Sequence, residues 1–93
     1  MYKIGEFSQI SRLPVKTLHH YDEENILKPD YIDEETGYRY YRKESLEKAE
    51  TIKLLRRLEF SVAEIRAITE TISSDDEMRE MIITRKNEIR TKI

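Results

Sequence analysis

Ninety-three residues allow one small domain, and a chain this short buries a modest share of its surface, so its stability is limited or shared with a partner. Hydrophobic residues make up 38% and charged residues 39%, which suits a small helical domain; the net charge of −2 supplies no global positive field, so any nucleic-acid reading must rest on local clustering. Zero cysteines excludes disulfides and thiolate metal sites within these residues, and the lack of a signal peptide or long apolar run makes a cytoplasmic protein, off the membrane, the expectation.

Ile4, Phe7 and Ile10 recur at three-residue spacing after a possible N-cap at Gly5, which predicts a first helix over about Glu6 to Ser11. Proline disfavours helix in the residue before it but fits the first turn of a new one, so Leu13-Pro14 reads as a sharp turn into a second helix, about Val15 to Glu24. Two short helices joined this way form a helix-turn-helix. Lys28-Pro29 ends the helical region, and Tyr31-Ile32 and Tyr38-Arg39-Tyr40 are candidate strands flanking the loop from Asp33 to Gly37.

The segment Thr36 to Lys43 packs three tyrosines and three cations around one glycine, with no acid. Gly37 permits the positive φ of a tight turn, which would make the two strands a β-hairpin, or wing. Arg39, Arg42 and Lys43 can hydrogen-bond phosphate oxygens, while Tyr38, Tyr40 and Tyr41 offer hydroxyl donors and flat apolar faces. Taken alone the segment fits equally well an ordinary strand with Tyr38 and Tyr40 buried and its cations in water.

Helical periodicity returns in Leu46, Ala49, Ile52 and Leu55, a core-facing stripe with Glu47, Lys48, Glu50 and Lys53 outside it. Ser61 and Glu64 form a capping box, and Phe60 and Ile65 occupy the positions of a hydrophobic staple. A fourth helix therefore starts at Val62 and carries Ile65, Ile68 and Ile72 inward. Ser74 with Glu77 repeats the box ahead of a last helix, about Asp75 to Ile93. Its Met78, Ile82, Ile89 and Ile93 lie on a rough four-three seam interrupted by Arg85. That seam finds no obvious partner in so small a domain, so a homodimer joined by a coiled coil is expected.

In this order the elements resemble the DNA-binding domain of the MerR family of bacterial transcription regulators, and more closely its multidrug-sensing type. The resemblance rests on Ile4-Gly5-Glu6, Val15-Lys16-Thr17-Leu18, Tyr21-Asp22, Leu27-Lys28-Pro29, Gly37-Tyr38-Arg39-Tyr40-Tyr41, Leu46, Phe60-Ser61-Val62 and Glu64-Ile65, which cover nearly the whole chain. It implies a mainly α fold. Residues 1–72 would form a winged helix-turn-helix with a short β-hairpin wing and two further helices, and residues 73–93 the start of an antiparallel coiled-coil dimerisation helix. The family's signal-sensing domain follows that helix, so a longer regulator is expected. The implied activity is binding of double-stranded promoter DNA at a pseudo-palindrome with a long spacer, followed by bending and untwisting that lets RNA polymerase engage both promoter elements. Such recognition is indirect readout, because the cost of deforming DNA depends on its sequence.

On this resemblance the second helix enters the major groove, which a helix of ten residues, roughly 15 Å long, fits. Lys16, Thr17, His19, His20 and Tyr21 are its candidate contacts; Tyr38, Arg39, Tyr40 and Arg42 are those of the wing, and Arg56 adds a phosphate contact. Met78, Ile82 and Ile89 are the candidate dimerisation residues. No cofactor or metal is expected, since adjacent His19 and His20 point about 100° apart on a helix and cannot readily grip one ion.

Four positions depart from the family pattern. Leu18-His19-His20-Tyr21 stands where Leu-Arg-Tyr-Tyr is usual, exchanging a permanent cation for an imidazole that is mostly neutral at pH 7. Pro14 and Arg42 replace residues able to cap helices. Glu59 replaces a glycine, at a cost of about 1 kcal/mol if its backbone is left-handed. An excisionase-type architectural DNA-bending factor is the competing reading, and a helical protein-interaction adaptor a third. Enzymatic function is the least supported, because no nucleophile-base pair, glycine-rich phosphate loop or zinc-helix motif accompanies the acids at Asp22-Glu23-Glu24 and Asp33-Glu34-Glu35.

Overall fold

The computed structural model describes residues 1–71 and 74–91. The chain divides into two compact units, residues 1–51 and 52–93. The elements are β1 (Tyr2–Lys3), α1 (Ile4–Ser11), α2 (Val15–Glu23), β2 (Tyr31–Ile32), β3 (Arg39–Tyr41), α3 (Ser45–Arg57), α4 (Val62–Thr71) and α5 (Asp75–Thr91). No helix among the described residues is long and apolar enough to cross a membrane.

In the first unit α1 begins two residues earlier than periodicity suggests. The reason is Glu6, whose carboxylate accepts the Lys3 backbone N–H at 2.9 Å, so Lys3 and not Gly5 is the N-cap. This is half of a capping box, since a lysine side chain has no acceptor for the reciprocal bond. Phe7 and Ser11 are buried and Ile10 is 49% exposed: the inward row advances by four after Phe7, as a 3.6-residue period allows, so the small serine and not the isoleucine faces the core. Arg12 leaves the helix in the left-handed region at φ 62°. Leu13 is held from both sides, its N–H donating to Ser11 Oγ at 3.3 Å and its carbonyl accepting Ser8 Oγ at 2.6 Å. Pro14 is the N-cap of α2 and makes no side-chain cap bond; its carbonyl takes the Leu18 N–H at 3.0 Å. The helix ends at Glu23, one residue early, where Asn25 turns left-handed at φ 61° and the Tyr21 carbonyl accepts the N–H groups of Ile26 and Leu27.

The wing is more than a hairpin. Its sheet has three antiparallel strands in the order β1-β3-β2, with Tyr2 opposite Tyr41, Lys3 opposite Tyr40, Tyr31 opposite Tyr40 and Ile32 opposite Arg39. The chain's second and third residues thus support the strand that carries the tyrosines. Gly37, at φ 75°, makes the turn the sequence predicts, and Asp33 Oδ1 caps the loop by accepting the Glu35 and Thr36 N–H groups at 2.8 and 3.2 Å. Tyr41 does not face outward: it is buried, its ring 4.4 Å from that of Phe7 and tilted by 16°, at the centre of a core that includes Leu13, Leu18, Tyr21, Ile26 and Leu27. Arg42 cannot cap α3, and a distant side chain serves instead. Asp30 Oδ2 accepts both the Arg42 N–H and the Ser45 hydroxyl at 2.8 Å, fixing the chain's entry into the helix.

In the second unit the end of α3 turns through Glu59, left-handed at φ 66° as the replaced glycine suggests, and Arg56 Nη1 holds the turn by donating to the Phe60 carbonyl at 2.8 Å. The capping box is complete: Ser61 N–H donates to Glu64 Oε1 at 2.9 Å and Glu64 N–H to Ser61 Oγ at 3.1 Å. Those contacts, first the Ser61 N–H, then the Ser61 hydroxyl and Arg85, outweigh desolvation and lower the Glu64 pKa. Phe60, Ile65 and Ile68 are buried, while the expected inward position Ile72 lies outside the described residues. Ser74 Oγ accepts the Glu77 N–H at 3.2 Å to start α5. Met78, Met81, Ile82, Arg85 and Ile89 form its half-buried face, and Ile83 is 51% exposed; Ile93 lies outside the described residues. Arg85 does more than interrupt the seam. Its guanidinium stacks 4.0 Å from the Phe60 ring and its Nη2 donates to Glu64 Oε2 at 3.0 Å, so part of the face expected to lack a partner is engaged within its own unit.

Candidate nucleic-acid interface

The outward side of α2 presents Lys16, His20 and Glu23 to solvent, three and four residues apart and hence on one face; Thr17 and His19 flank it half-buried. Tyr21 is only 6% exposed. Its ring belongs to the core because it sits three residues after Leu18 on the inward row, so this candidate contact offers only a small part of its side chain to the surface. His20 lies beside it, ring centres 6.1 Å apart.

On the wing, Tyr38 is 56% exposed and the Lys3 ammonium sits 5.5 Å from its ring centre, a cation-π placement. Tyr40 is half-buried and tilts against Tyr31 at 5.8 Å. Alternation along β3 puts Arg39 on the same side as buried Tyr41 and opposite to Tyr40. The guanidinium accordingly turns toward α2, where Nε donates to Asp22 Oδ2 at 3.3 Å. Asp22 also binds Lys28, Nζ to Oδ1 at 3.1 Å. Burial, reinforced by the charge of Asp22, pushes the Tyr41 phenol up to about 12, Arg39 opposing and Asp30 adding.

Lys3, Ile4, Gly5, Glu6, Gln9, Tyr38 and Arg39 line an open cleft of about 510 Å³ between the start of α1 and the wing. Within this cleft the Lys3 ammonium lies over the exposed Tyr38 ring and Arg39 contributes part of the wall, with the Glu6 carboxylate as the one acid; the cations can hydrogen-bond phosphate oxygens of a nucleic-acid backbone. Arg42 is exposed, with its backbone rather than its side chain held by Asp30. Arg56 belongs to the second unit, where one of its nitrogens is committed to the Phe60 carbonyl. Of the dimerisation candidates, Met78, Ile82 and Ile89 share one half-buried face, and Ile89 lines a groove with Leu58, Ile83, Lys86, Asn87 and Arg90. Sequence reasoning did not single out Lys3, Asp22 or Lys28 as site residues, although Asp22 and Lys28 stand among those that carry the family resemblance; Arg39 meets Asp22 from 17 residues away and Lys28 meets it from six.

Comparison with known proteins accords with this geometry. The family model described as MerR HTH family regulatory protein matches residues 2–72. The multidrug-efflux transporter 1 regulator of Bacillus subtilis is 40% identical over 55 residues, 59% of this chain and 20% of that protein. The transcriptional regulator BrlR of Pseudomonas aeruginosa is 34% identical over 79 residues, 85% of this chain and 29% of that protein. The chain thus spans less than a third of the length of either relative. Among solved structures, an EcmrR-DNA complex in EcmrR-RPo superposes with a TM-score of 0.75 at 36% identity, covering 98% of this chain and 32% of that one. MtaN, the N-terminus of the Bacillus subtilis multidrug transporter activator, gives 0.72 at 25% identity over 99% of this chain and 91% of its own. Sequence, fold and the winged helix-turn-helix geometry agree, and the chain belongs to the MerR family of helix-turn-helix regulatory proteins.

Proposed function

We propose that this chain is the DNA-binding part of a cytoplasmic transcription regulator that grips a pseudo-palindromic promoter as a homodimer and distorts it to control RNA polymerase. The observation that carries the reading is the joining of the wing to α2 through Arg39 and Asp22, which sets a cationic, tyrosine-bearing wing beside a helix whose exposed face offers Lys16 and His20. In this arrangement α2 enters the major groove, with Lys16, Thr17, His19 and His20 toward bases or phosphates. Tyr38, Arg39, Tyr40 and Arg42 hold the flanking backbone, with Arg56 a further phosphate contact. Met78, Ile82 and Ile89 supply the apolar part of the dimer seam on α5, whose 17 residues favour this reading over an excisionase-type bending factor.

Selection from random duplexes, followed by bend measurement on the selected sites, tests the proposal. Recovery of two-fold symmetric sites that the protein bends is the expected result, with transcription from such a promoter changing as its spacer length is varied. Recovery of asymmetric or unbent sites contradicts it.

A further inference from the structure

An acid inside a surface that meets a polyanion opposes binding by charge alone, and Asp22 is such an acid. It occupies the last turns of α2 with its side chain 16% exposed, and its oxygens are divided between two cations: Oδ2 accepts Arg39 Nε at 3.3 Å and Oδ1 accepts Lys28 Nζ at 3.1 Å. The same ammonium reaches the Asp22 backbone carbonyl at 3.3 Å, which ties the segment after α2 to the helix end. Arg39 comes from β3, 17 residues away in sequence, and its side chain makes no other hydrogen bond among the described residues. A guanidinium held at Nε keeps its terminal edge free, and that edge carries the two parallel donors that match a phosphate.

The geometry points to Asp22 as a positioning residue for DNA: it clamps Arg39 at Nε so that the terminal edge of the fork is presented to a backbone phosphate in fixed relation to α2, while Lys28 offsets the charge it brings. The inference rests on the DNA-binding reading. It makes α2 and the wing bind as one body, with the rotamer of Arg39 set before DNA arrives.

The two roles of Asp22, repulsive charge and clamp, have opposite signs on removal. Loss of charge alone tightens DNA binding; loss of the clamp weakens it, on the order of two- to tenfold, the worth of immobilising one long side chain in advance. Fluorescence anisotropy of a labelled duplex at one moderate salt concentration, with wild type, Asp22→Asn, Arg39→Lys and the double variant, separates them. Asp22→Asn is expected to weaken binding where Arg39 is present and to strengthen it where lysine, which has no fork to orient, replaces Arg39. Circular dichroism melting confirms that each protein is folded at the assay temperature. If Asp22→Asn is not, Asp22→Glu, which keeps the charge and moves it by one methylene, is expected to weaken binding in the same Arg39-dependent way. Tighter or unchanged binding by the folded Asp22 variant with Arg39 in place overturns the inference, as does the same effect in both backgrounds. A wild-type protein that shows no salt-dependent affinity for any duplex overturns the DNA-binding reading, and the clamp with it.

Discussion

Replacing Tyr41 with phenylalanine should stabilise this protein, against the usual direction for a core substitution. The ring is fully buried and stacked on Phe7 at 4.4 Å, and phenylalanine keeps that contact and its apolar burial. The hydroxyl has no hydrogen-bond partner among the described residues. A buried hydroxyl without a bond costs about 1–3 kcal/mol. Local relaxation recovers part of this, so a gain of about 1 kcal/mol is expected, or ~4–8 °C in the thermal midpoint of a domain this size. The pH dependence gives a second readout. Burial first, then Asp22, raises the Tyr41 pKa from 10.0 to about 12. A folded pKa above the unfolded value means a contribution that is fully present below about pH 10 and lost as pH rises from about 10 to 12. The wild type should therefore fall away from Tyr41→Phe across that window. Urea unfolding followed by circular dichroism at pH 7, 10.5 and 11.5 measures both effects. A lower midpoint for Tyr41→Phe at pH 7, with parallel curves to pH 11.5, would refute the reasoning and show that the hydroxyl is bonded in the folded protein.

Three further outcomes are open to direct measurement. Ser61→Ala removes the acceptor of the Glu64 N–H and should cost about 1 kcal/mol in urea unfolding. Because the Glu64 pKa is lowered in the fold, its share of stability is present above the ordinary carboxylate range and fades as pH falls through the lowered value; a difference from wild type that grows toward pH 3 would contradict this. Glu59→Gly relieves a left-handed backbone at φ 66° and should gain up to about 1 kcal/mol after the added freedom of the unfolded chain, whereas Gly37→Ala, at φ 75°, should lose about as much. Ile82→Glu puts a charge on the half-buried face of α5, and sedimentation should show a concentration-dependent dimer becoming monomer while the circular dichroism of the winged unit is kept; a wild type that is monomeric at high micromolar concentration removes the seam.

What the sequence revealed was mostly local. The Ser61 and Glu64 box, the left-handed turns at Gly37 and Glu59, and the inward row Leu46, Ala49, Ile52 and Leu55 each depend on residues a few positions apart, and each stands in the structure, with Leu46 half-buried at the start of the row. The misses are contacts across long separations. β1 is two residues long, too short to show a period, and its pairing with β3 joins the start of the chain to Tyr40 and Tyr41. Asp30 caps α3 from 12 and 15 residues away. Three tyrosines in four residues read as one surface, but strand alternation separates them: Tyr41 goes to the core, Tyr40 to the opposite side, and Arg39 follows Tyr41 far enough to meet Asp22. The three-residue spacing of Ile4, Phe7 and Ile10 predicts the first helix but not its inward row, since a 3.6-residue period leaves Ile10 exposed. The candidate interface was thus legible in its residue types and hidden in its internal bonds.

The central claim is that the wing and α2 hold DNA through phosphate contacts that include Arg39. Titrating binding of a selected duplex and an unrelated one against salt, with wild type and Arg39→Ala, tests it most directly. Wild-type affinity should fall steeply as salt rises. Arg39→Ala should weaken both duplexes by similar factors and flatten the slope by about one unit. Wild-type binding that ignores salt, or an Arg39→Ala variant with unchanged affinity and slope, would contradict the account.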